Sequence, residues 1–283
     1  MGRASTVRRW IQYSGVRSAA SVLSGYVAMH ALGPGIRRCT APALGDFARS
    51  GGSIATSAAA FLQRMGFADS DIERVLDEFR HLTARLAARY EEVELRYPRT
   101  HGVETETSAV LYGLARLLRA RTVVETGVAD GRSSWLILAA LERNGHGVLH
   151  SFDIASGAGG LVGQHPQWRL EILSRRQPEA SLREALRRID EIDLFFHDSD
   201  HRYLPQLFEY EAAWPKMAPG GVLASDDVNT TPAFLDFCKD RGQPMAFLFD
   251  SRKMAGAIRM HGASPRPDTT PALTTLRGSS GPR

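Results

Sequence analysis

The stretch VVETGVADGRSSWLILAALERN, residues 123–144, decides the fold. It begins with a short apolar run, continues through a turn with two glycines, and ends in a segment whose apolar residues recur at helical spacing. A buried strand followed at once by a glycine-rich turn and a helix is typical of a parallel sheet, because parallel strands need a crossover connection. The stretch therefore predicts an α/β fold.

The same alternation of strand and helix continues downstream. We expect strands at 122–126, 147–154, 168–174, 192–198 and 219–227, with helices at 179–189 and from about 204 to 217. Two further apolar runs, 244–250 and 255–260, are separated by only a few residues and predict an antiparallel hairpin. Together these segments predict a doubly wound, mostly parallel seven-stranded sheet that ends in an antiparallel hairpin.

Helices are expected before the sheet. Apolar residues recur at helical spacing over 69–95 and again from about 104 to 119, on either side of the break YPRTHG. We therefore expect N-terminal helices that lead into the α/β domain.

The two ends of the chain differ in composition from the middle. We divide the chain into a basic N-terminal arm (1–50), a helical cap or oligomerisation segment (51–103), the α/β domain (104–260) and a disordered tail (261–283). The arm has seven arginines against the single acid Asp46. It could form an amphipathic helix on an anionic membrane or act as a targeting peptide. We prefer an arm that packs on a neighbouring subunit or stays mobile.

Charge and cysteine usage exclude several classes of protein. The net charge is +4, but the arm and the tail carry the basic excess and leave residues 51–260 net negative, so we expect no nucleic-acid binding. The two cysteines, Cys39 and Cys238, form no CxxC motif, which excludes a disulfide framework and a thiolate zinc site. Cysteine usage of this kind favours a reducing, cytoplasmic location. No apolar run approaches the roughly 20 residues of a membrane span.

The glycine-rich turn indicates a nucleoside-containing cofactor. Gly127 and Gly131 allow a sharp turn and a close backbone approach to a ligand, and the following helix directs its first N–H groups at an anionic group. Asp153 ends the second strand, where a carboxylate can hold the two ribose hydroxyls. The spacing is not G-x-G-x-x-G, and Glu125 would repel a pyrophosphate. S-adenosylmethionine (SAM), which has a sulfonium and an ammonium group, is therefore favoured over NAD.

Two acidic clusters follow buried strands, FFHDSDH at 195–201 and ASDD at 224–227. Ligands of such sheets bind beyond the carboxyl ends of the strands, and crowded carboxylates repel one another unless a cation neutralises them. Oxygen ligands suit Mg²⁺, Mn²⁺ or Ca²⁺. The alternative is that these aspartates serve only as turn and helix-cap residues. A bound cation would lower the pKa of an acceptor hydroxyl, and a nearby carboxylate would take its proton.

Residues 104–260 resemble the class I SAM-dependent methyltransferases, and particularly the macrocin O-methyltransferase type, which includes sugar O-methyltransferases of antibiotic pathways. The strongest stretch is IDLFFHDSDHRYLPQLFEYEAAWPKMAPGGVLASDDV, residues 192–228, whose acids, His-x-Tyr, Gly-Gly and paired Asp recur in register. One departure is the segment LSRRQPEAS (173–181), which replaces a Gly-Asp pair near the adenine, so no adenine contact is assigned.

The resemblance implies a role for each matching residue. It implies metal ligands at Asp198, Asp226 and Asp227, and a catalytic pair in which Asp200 is the general base with His201 beside it. The cofactor-binding residues would be Glu125, Gly127, Gly131 and Ser133 at the methionine end of SAM and Asp153 at its ribose. We assign no functional role to Asp190 or His197 and expect both to be structural.

The sequence therefore predicts a metal-dependent SAM O-methyltransferase, with Mg²⁺ or another divalent cation. Its acceptor would be a hydroxylated small molecule, a sugar or a glycosylated natural product. One alternative is an O-methyltransferase of catechol-like aromatic diols, and another is a non-catalytic, membrane-associated SAM-binding protein. A dinucleotide oxidoreductase is the weakest candidate, because G-x-G-x-x-G is missing. Helices that precede such a domain often pair between subunits in the family, so we expect a homo-oligomer.

Overall fold

The computed structural model describes residues 54–98, 101–239, 241–251 and 253–262. Its strands are β1 (Ile54–Ala55), β2 (Thr122–Thr126), β3 (Val148–Asp153), β4 (Trp168–Ile172), β5 (Ile192–His197), β6 (Met217–Ser225), β7 (Met245–Asp250) and β8 (Lys253–Arg259). Its helices are α1 (Ala58–Arg64), α2 (Asp69–Glu92), α3 (Thr105–Leu117), α4 (Arg132–Asn144), α5 (Pro178–Arg187), α6 (Tyr203–Ala213) and α7 (Ala233–Cys238). The predictions for the N-terminal arm and for nearly all of the tail lie outside the described residues.

The strands form one sheet in the order β1-β7-β8-β6-β5-β2-β3-β4. Strands β2 to β6 pair in parallel, whereas β8 runs antiparallel to both β6 and β7. The predicted fold class, a mostly parallel α/β sheet with a C-terminal antiparallel hairpin, is confirmed. The predicted number of seven strands is wrong, because Ile54 and Ala55 add a parallel strand beside β7. Two residues are too few to give a strand periodicity.

Helices cover both faces of the sheet. Along β2, Val123 belongs to the core formed with α1 to α4, and Val124 belongs to the core formed with α5 to α7. Strand β5 alternates in the same way, with Leu194 and Phe196 on the first side and Phe195 on the second. Burial of both faces explains why these strands read as continuous apolar runs. None of the described helices has the length and apolar character to cross a membrane.

The strand order brings the two acidic clusters to one edge of the sheet. Thr126 at the end of β2 pairs with His197 at the end of β5, and His197 pairs with Ser225 at the end of β6. The segments that follow these three strands therefore emerge side by side. The sheet also changes its direction of winding between β2 and β5, and open α/β sheets bind ligands at such a point.

Candidate active site

The glycine-rich turn lies against the end of β5. Gly127 has a φ of +80°, and any side chain there would collide with the backbone carbonyl of Asp198. The Asp198 N–H donates to the Thr126 carbonyl over 2.8 Å, and the Gly127 N–H donates to the Phe152 carbonyl over 2.9 Å. Glycine is therefore required here by the chain itself, because β2, β3 and β5 meet at this turn. A contact between Gly127 and the cofactor stays a prediction.

Gly131 begins the next element. It has a φ of +90° at the N-cap of α4, and no side chain caps that helix end. A Cβ atom at Gly131 would lie 3.1 Å from the Cα of Gly159, so the loop that follows β3 packs directly on this position. The uncapped start of α4 leaves its first N–H groups without an intrahelical partner, and Ser133 lies in that first turn.

Two acids, Asp153 and Glu125, hold the glycine-rich turn and its surroundings in place through hydrogen bonds. Asp153 accepts hydrogen bonds from the N–H groups of Val128 and Ala129 through Oδ2, at 2.8 and 3.2 Å. Glu125 is fully buried, and its Oε2 accepts from the hydroxyls of Ser134 and Ser151 at 2.5 and 2.8 Å. Burial raises the pKa of Glu125, and hydrogen bonds from the serines oppose that rise. The predicted contacts of both acids with the cofactor stay predictions.

Two of the three predicted metal ligands, Asp198 and Asp227, converge on His201, and the role of Asp226 as a ligand stays a prediction. One ligand atom each from Asp198, His201 and Asp227 lies within 4.8 Å of the other two. His201 Nε2 is 3.6 Å from Asp198 Oδ1 and 3.3 Å from Asp227 Oδ2. The predicted ligand Asp226 instead pairs with Lys253, whose Nζ is 3.0 Å from Asp226 Oδ2 and 3.2 Å from Asp227 Oδ2. We call Asp198, His201, Asp226, Asp227 and Lys253 the acidic centre.

Burial and mutual repulsion govern the charges of the acidic centre. Burial, followed by repulsion from Asp226, raises the pKa of Asp198 well above the ordinary value of a carboxyl. Burial and the neighbouring Asp227 raise the pKa of Asp226 to about 6, against the pull of Lys253. Burial also lowers the pKa of His201 to about 4, although Asp227 favours its protonated form. His201 is therefore neutral at pH 7.

The predicted base Asp200 lies in a different environment. Arg202 Nε donates to both of its carboxylate oxygens, at 2.8 and 2.9 Å. Burial acts to raise the pKa of Asp200, but the hydrogen bonds from Arg202 outweigh it and hold the pKa below the ordinary value. A carboxylate in this state is a weak base, and the role of Asp200 stays a prediction.

Sequence reasoning missed a buried network behind the acidic centre. Glu209 Oε2 accepts from Thr126 Oγ1 and lies 2.6 Å from His197 Nδ1, while Glu209 Oε1 accepts from Ser199 Oγ at 2.7 Å. The His197 ring meets that of His201 edge to face, with centroids 5.7 Å apart. Glu209 therefore ties the ends of β2 and β5 to the loop that carries the acidic centre. Its neighbours Gln206, Tyr210 and Ala213 form the buried face of α6, which is the signal that could have found it.

A cleft connects the turn to the acidic centre. Its wall includes Ala129, Ser133 and Asp198. Tyr97 closes the cleft from the segment that follows α2. The buried carboxylate of Asp130 fixes that segment, because it accepts the N–H groups of Arg96 and Tyr97 at 2.9 Å each. The turn, Asp198 of the acidic centre and the segment after α2 thus line one cleft.

The stretch from β2 to the loop after β6 matches a known domain model. The match covers residues 124–228, less than half of the chain, and the model is described as a methyltransferase domain. The matched stretch includes both the glycine-rich turn and the carboxylates of the acidic centre. The predicted enzyme class, a SAM-dependent methyltransferase, is confirmed by this match together with the fold.

Solved structures share the architecture at low sequence identity. A candidate caffeoyl-CoA O-methyltransferase from Staphylococcus aureus is 15% identical, with a TM-score of 0.50, over 68% of this chain and 100% of its own. An O-methyltransferase from Bacillus cereus, solved with S-adenosylhomocysteine (SAH), is 16% identical over 69% and 92% of the two chains, with a TM-score of 0.45. The O-methyltransferase TomG from Streptomyces achromogenes, solved with SAM, is 16% identical over 69% of this chain and 91% of its own, with a TM-score of 0.44. No match was found among curated proteins.

Proposed function

We propose that this methyltransferase transfers the methyl group of SAM to a hydroxyl oxygen of a small molecule, with help from a divalent cation. The cleft whose wall includes both the uncapped start of α4 and Asp198 carries the proposal. A donor held at Ser133 and an acceptor held at Asp198 would meet in it. The name of the Staphylococcus aureus structure, an O-methyltransferase of the same fold, also supports transfer to oxygen.

The residues of the turn fit a SAM donor. The uncapped N–H groups at the start of α4 suit the carboxylate of its methionine part. Gly127, Gly131 and Ser133 would line that end, with Glu125 shaping the turn beneath and Asp153 at the ribose. When bound, SAM supplies an electrophilic methyl group. The chain's own contribution is to align the two substrates and exclude water, because the donor is already activated.

The acidic centre also fits a divalent cation. Asp198, His201 and Asp227 offer three converging ligand atoms, and Asp226 Oδ1 is buried without a hydrogen-bond partner among the described residues. A carboxylate-rich set with one imidazole suits Mg²⁺ or Mn²⁺, and the imidazole favours Mn²⁺. When bound, such an ion acts as a Lewis acid toward the acceptor hydroxyl.

His201 is better placed than Asp200 to accept the acceptor's proton. Its Nε2 lies 3.3 Å from Asp227 Oδ2 and 3.6 Å from Asp198 Oδ1, and no described arginine holds it. The geometry therefore favours His201, although burial lowers its pKa to about 4. Asp200 is instead held by Arg202. His201 serves as a base only while its Nε2 is not bound to the cation, so the two roles exclude each other at that atom.

Two acceptor classes remain in the proposal. A sugar or glycosylated natural product follows from the macrocin-type resemblance. An aromatic diol follows from the shared fold of the candidate caffeoyl-CoA O-methyltransferase of Staphylococcus aureus. A cytoplasmic location and a homo-oligomer are also part of the proposal, and they rest on the sequence.

The test compares Asp227→Ala with a matched control. Wild-type protein is expected to bind SAH in calorimetry and to methylate at least one of a side-by-side panel of sugars and catechols. Asp227→Ala is expected to keep SAH affinity within about twofold and to lose at least tenfold in turnover, since it removes a group on the acceptor side. Asp190→Ala, at an exposed aspartate just before β5 and at the opposite end of that strand from the acidic centre, is expected to match wild type. Equal loss of SAH binding and turnover in Asp227→Ala would contradict this division of labour.

A further inference from the structure

Lys253 places a positive charge inside the acidic centre. Its Nζ lies 3.0 Å from Asp226 Oδ2 and 3.2 Å from Asp227 Oδ2, and its side chain is only 10% exposed. The side chain of Asp226 is 1% exposed. Desolvating an ammonium and two carboxylates together is costly, so an arrangement of this kind calls for a function or a strong structural reason.

The backbone fixes this lysine beside the two aspartates. Strand β8 begins at Lys253, and the next residue, Met254, donates its N–H to Asn229 Oδ1 at 2.9 Å. The Met254 carbonyl accepts from the Val228 N–H, also at 2.9 Å. Two hydrogen bonds thus clamp the start of β8 to the loop that carries Asp226 and Asp227. The fold therefore fixes the position of the Lys253 ammonium, whereas a flexible lysine at the surface would have no fixed position.

The choice of residue is also informative. Lysine occurs only at 216, 239 and 253 in this chain, whereas the other basic residues of the 35 are arginines. A compact ammonium can neutralise two carboxylates without the planar, five-donor fork of a guanidinium, which would occupy the space between them. The one basic residue in the acidic centre is therefore of the type that leaves room for a second cation.

The charges of the acidic centre then add up in a simple way. Three carboxylates and one ammonium leave two net negative charges when the carboxylates are ionised, which is the charge that one divalent cation neutralises. We propose that Lys253 is a built-in counter-ion that sets the cation affinity of the acidic centre. This inference rests on the proposed function, because it assumes that the centre holds a divalent ion.

A counter-ion and a purely structural ion pair predict opposite changes in cation affinity when Lys253 is replaced. If Lys253 only stabilised the fold, its replacement would loosen the site and weaken cation binding. As a counter-ion it repels the divalent ion, so its removal is expected to strengthen cation binding roughly tenfold or more. The same removal is expected to destabilise the cation-free protein, because the carboxylates lose their only described cationic neighbour within hydrogen-bond distance.

The experiment measures Mn²⁺ binding to the full chain by calorimetry, with SAH binding measured in parallel. Lys253→Met keeps the length of the side chain and removes its charge. Lys239→Met is the matched control, since Lys239 is exposed and pairs only loosely with Asp236, at 4.0 Å. We expect at least about tenfold tighter Mn²⁺ binding in Lys253→Met and no change in Lys239→Met. Saturating Mn²⁺ should also close the gap in melting temperature between Lys253→Met and wild type.

A double variant keeps the test decisive if Lys253→Met does not fold. Asp226→Asn with Lys253→Met removes both members of the buried pair and restores the net charge, so Mn²⁺ affinity is expected within about threefold of wild type. A loss of affinity in the double variant, or equal or weaker Mn²⁺ binding in Lys253→Met, would overturn the proposal. SAH binding separates the two levels: its absence in wild type would count against the proposed function and not against Lys253 in particular.

Discussion

Replacing Glu209 by glutamine tests whether the network behind the acidic centre stabilises the fold. The substitution keeps the shape of the side chain and removes the charge that accepts from Thr126 and Ser199 and faces His197. Burial acts to raise the pKa of Glu209, but His197 and the hydroxyl donors outweigh it and lower the pKa, so the carboxylate is ionised at pH 7. The variant therefore leaves donors without the charged acceptor around which they are arranged.

The expected cost follows from the number of contacts. Each hydrogen bond to a charged group contributes about 1.5–3 kcal/mol. Glutamine retains one oxygen, so we expect a loss of about 3 kcal/mol in the free energy of unfolding. For a chain of this size that corresponds to a fall in melting temperature of roughly 6–12 °C. Thermal and urea unfolding would measure it.

Glu209→Gln should lower turnover by displacing the loop of the acidic centre, and it should leave the binding of the methyl donor largely unchanged. Ser199 lies next to Asp198, so loosening its hydrogen bond to Glu209 shifts the loop of the acidic centre. We expect turnover to fall roughly tenfold to a hundredfold, with SAH affinity within about twofold of wild type. Glu211→Gln on the same helix is the control, because Glu211 is exposed and pairs with Arg241 at the surface. A stability change below about 0.5 kcal/mol in Glu209→Gln would refute the assigned role.

Two further predictions concern the stability of the fold. Gly127→Ala is expected to lower the free energy of unfolding by more than about 3 kcal/mol or to prevent folding. The added methyl group would collide with the Asp198 carbonyl, and the residue has a φ of +80°. Soluble yield and thermal unfolding measure the effect, and a melting temperature equal to that of wild type would contradict it. Hydrogen bonds from Arg116, opposed by burial, lower the pKa of Glu78 from 4.5 to about 2. The stability that this pair contributes is therefore present above pH 4.5 and is lost as the pH falls through 2. In Glu78→Gln we expect stability at pH 7 to fall by about 1–2 kcal/mol and to change less with pH over that window, as measured by urea unfolding across pH.

Most of the fold is predictable because its signals are local. The glycine at 127 and the apolar run through Val123 and Val124 require only the chain near β2. The structure gives Gly127 a positive φ and buries both valines, as expected. Strand β1 escaped prediction because two residues carry no period and its pairing with Phe247 and Leu248 depends on β7, far along the chain.

The acidic centre was predictable only in part. Asp198 and Asp227 follow from their places at strand ends, but Lys253 does not, because its approach depends on the antiparallel register that pairs Ser225 with Gly256. That register brings the start of β8 alongside the residues after β6. Asp227 also has a φ of +50°, which no local pattern indicates. Tertiary structure therefore determines that Asp226 contacts Lys253 and that Asp227 contacts His201.

The most direct test of the central claim is a crystal structure with SAH and Mn²⁺, with anomalous diffraction recorded at the manganese edge. The account predicts a single strong anomalous peak within ligand distance of Asp198 and Asp227, and SAH along the glycine-rich turn with its sulfur facing that peak across the cleft. SAH bound elsewhere, or manganese bound away from these two carboxylates while SAH occupies the turn, would contradict it.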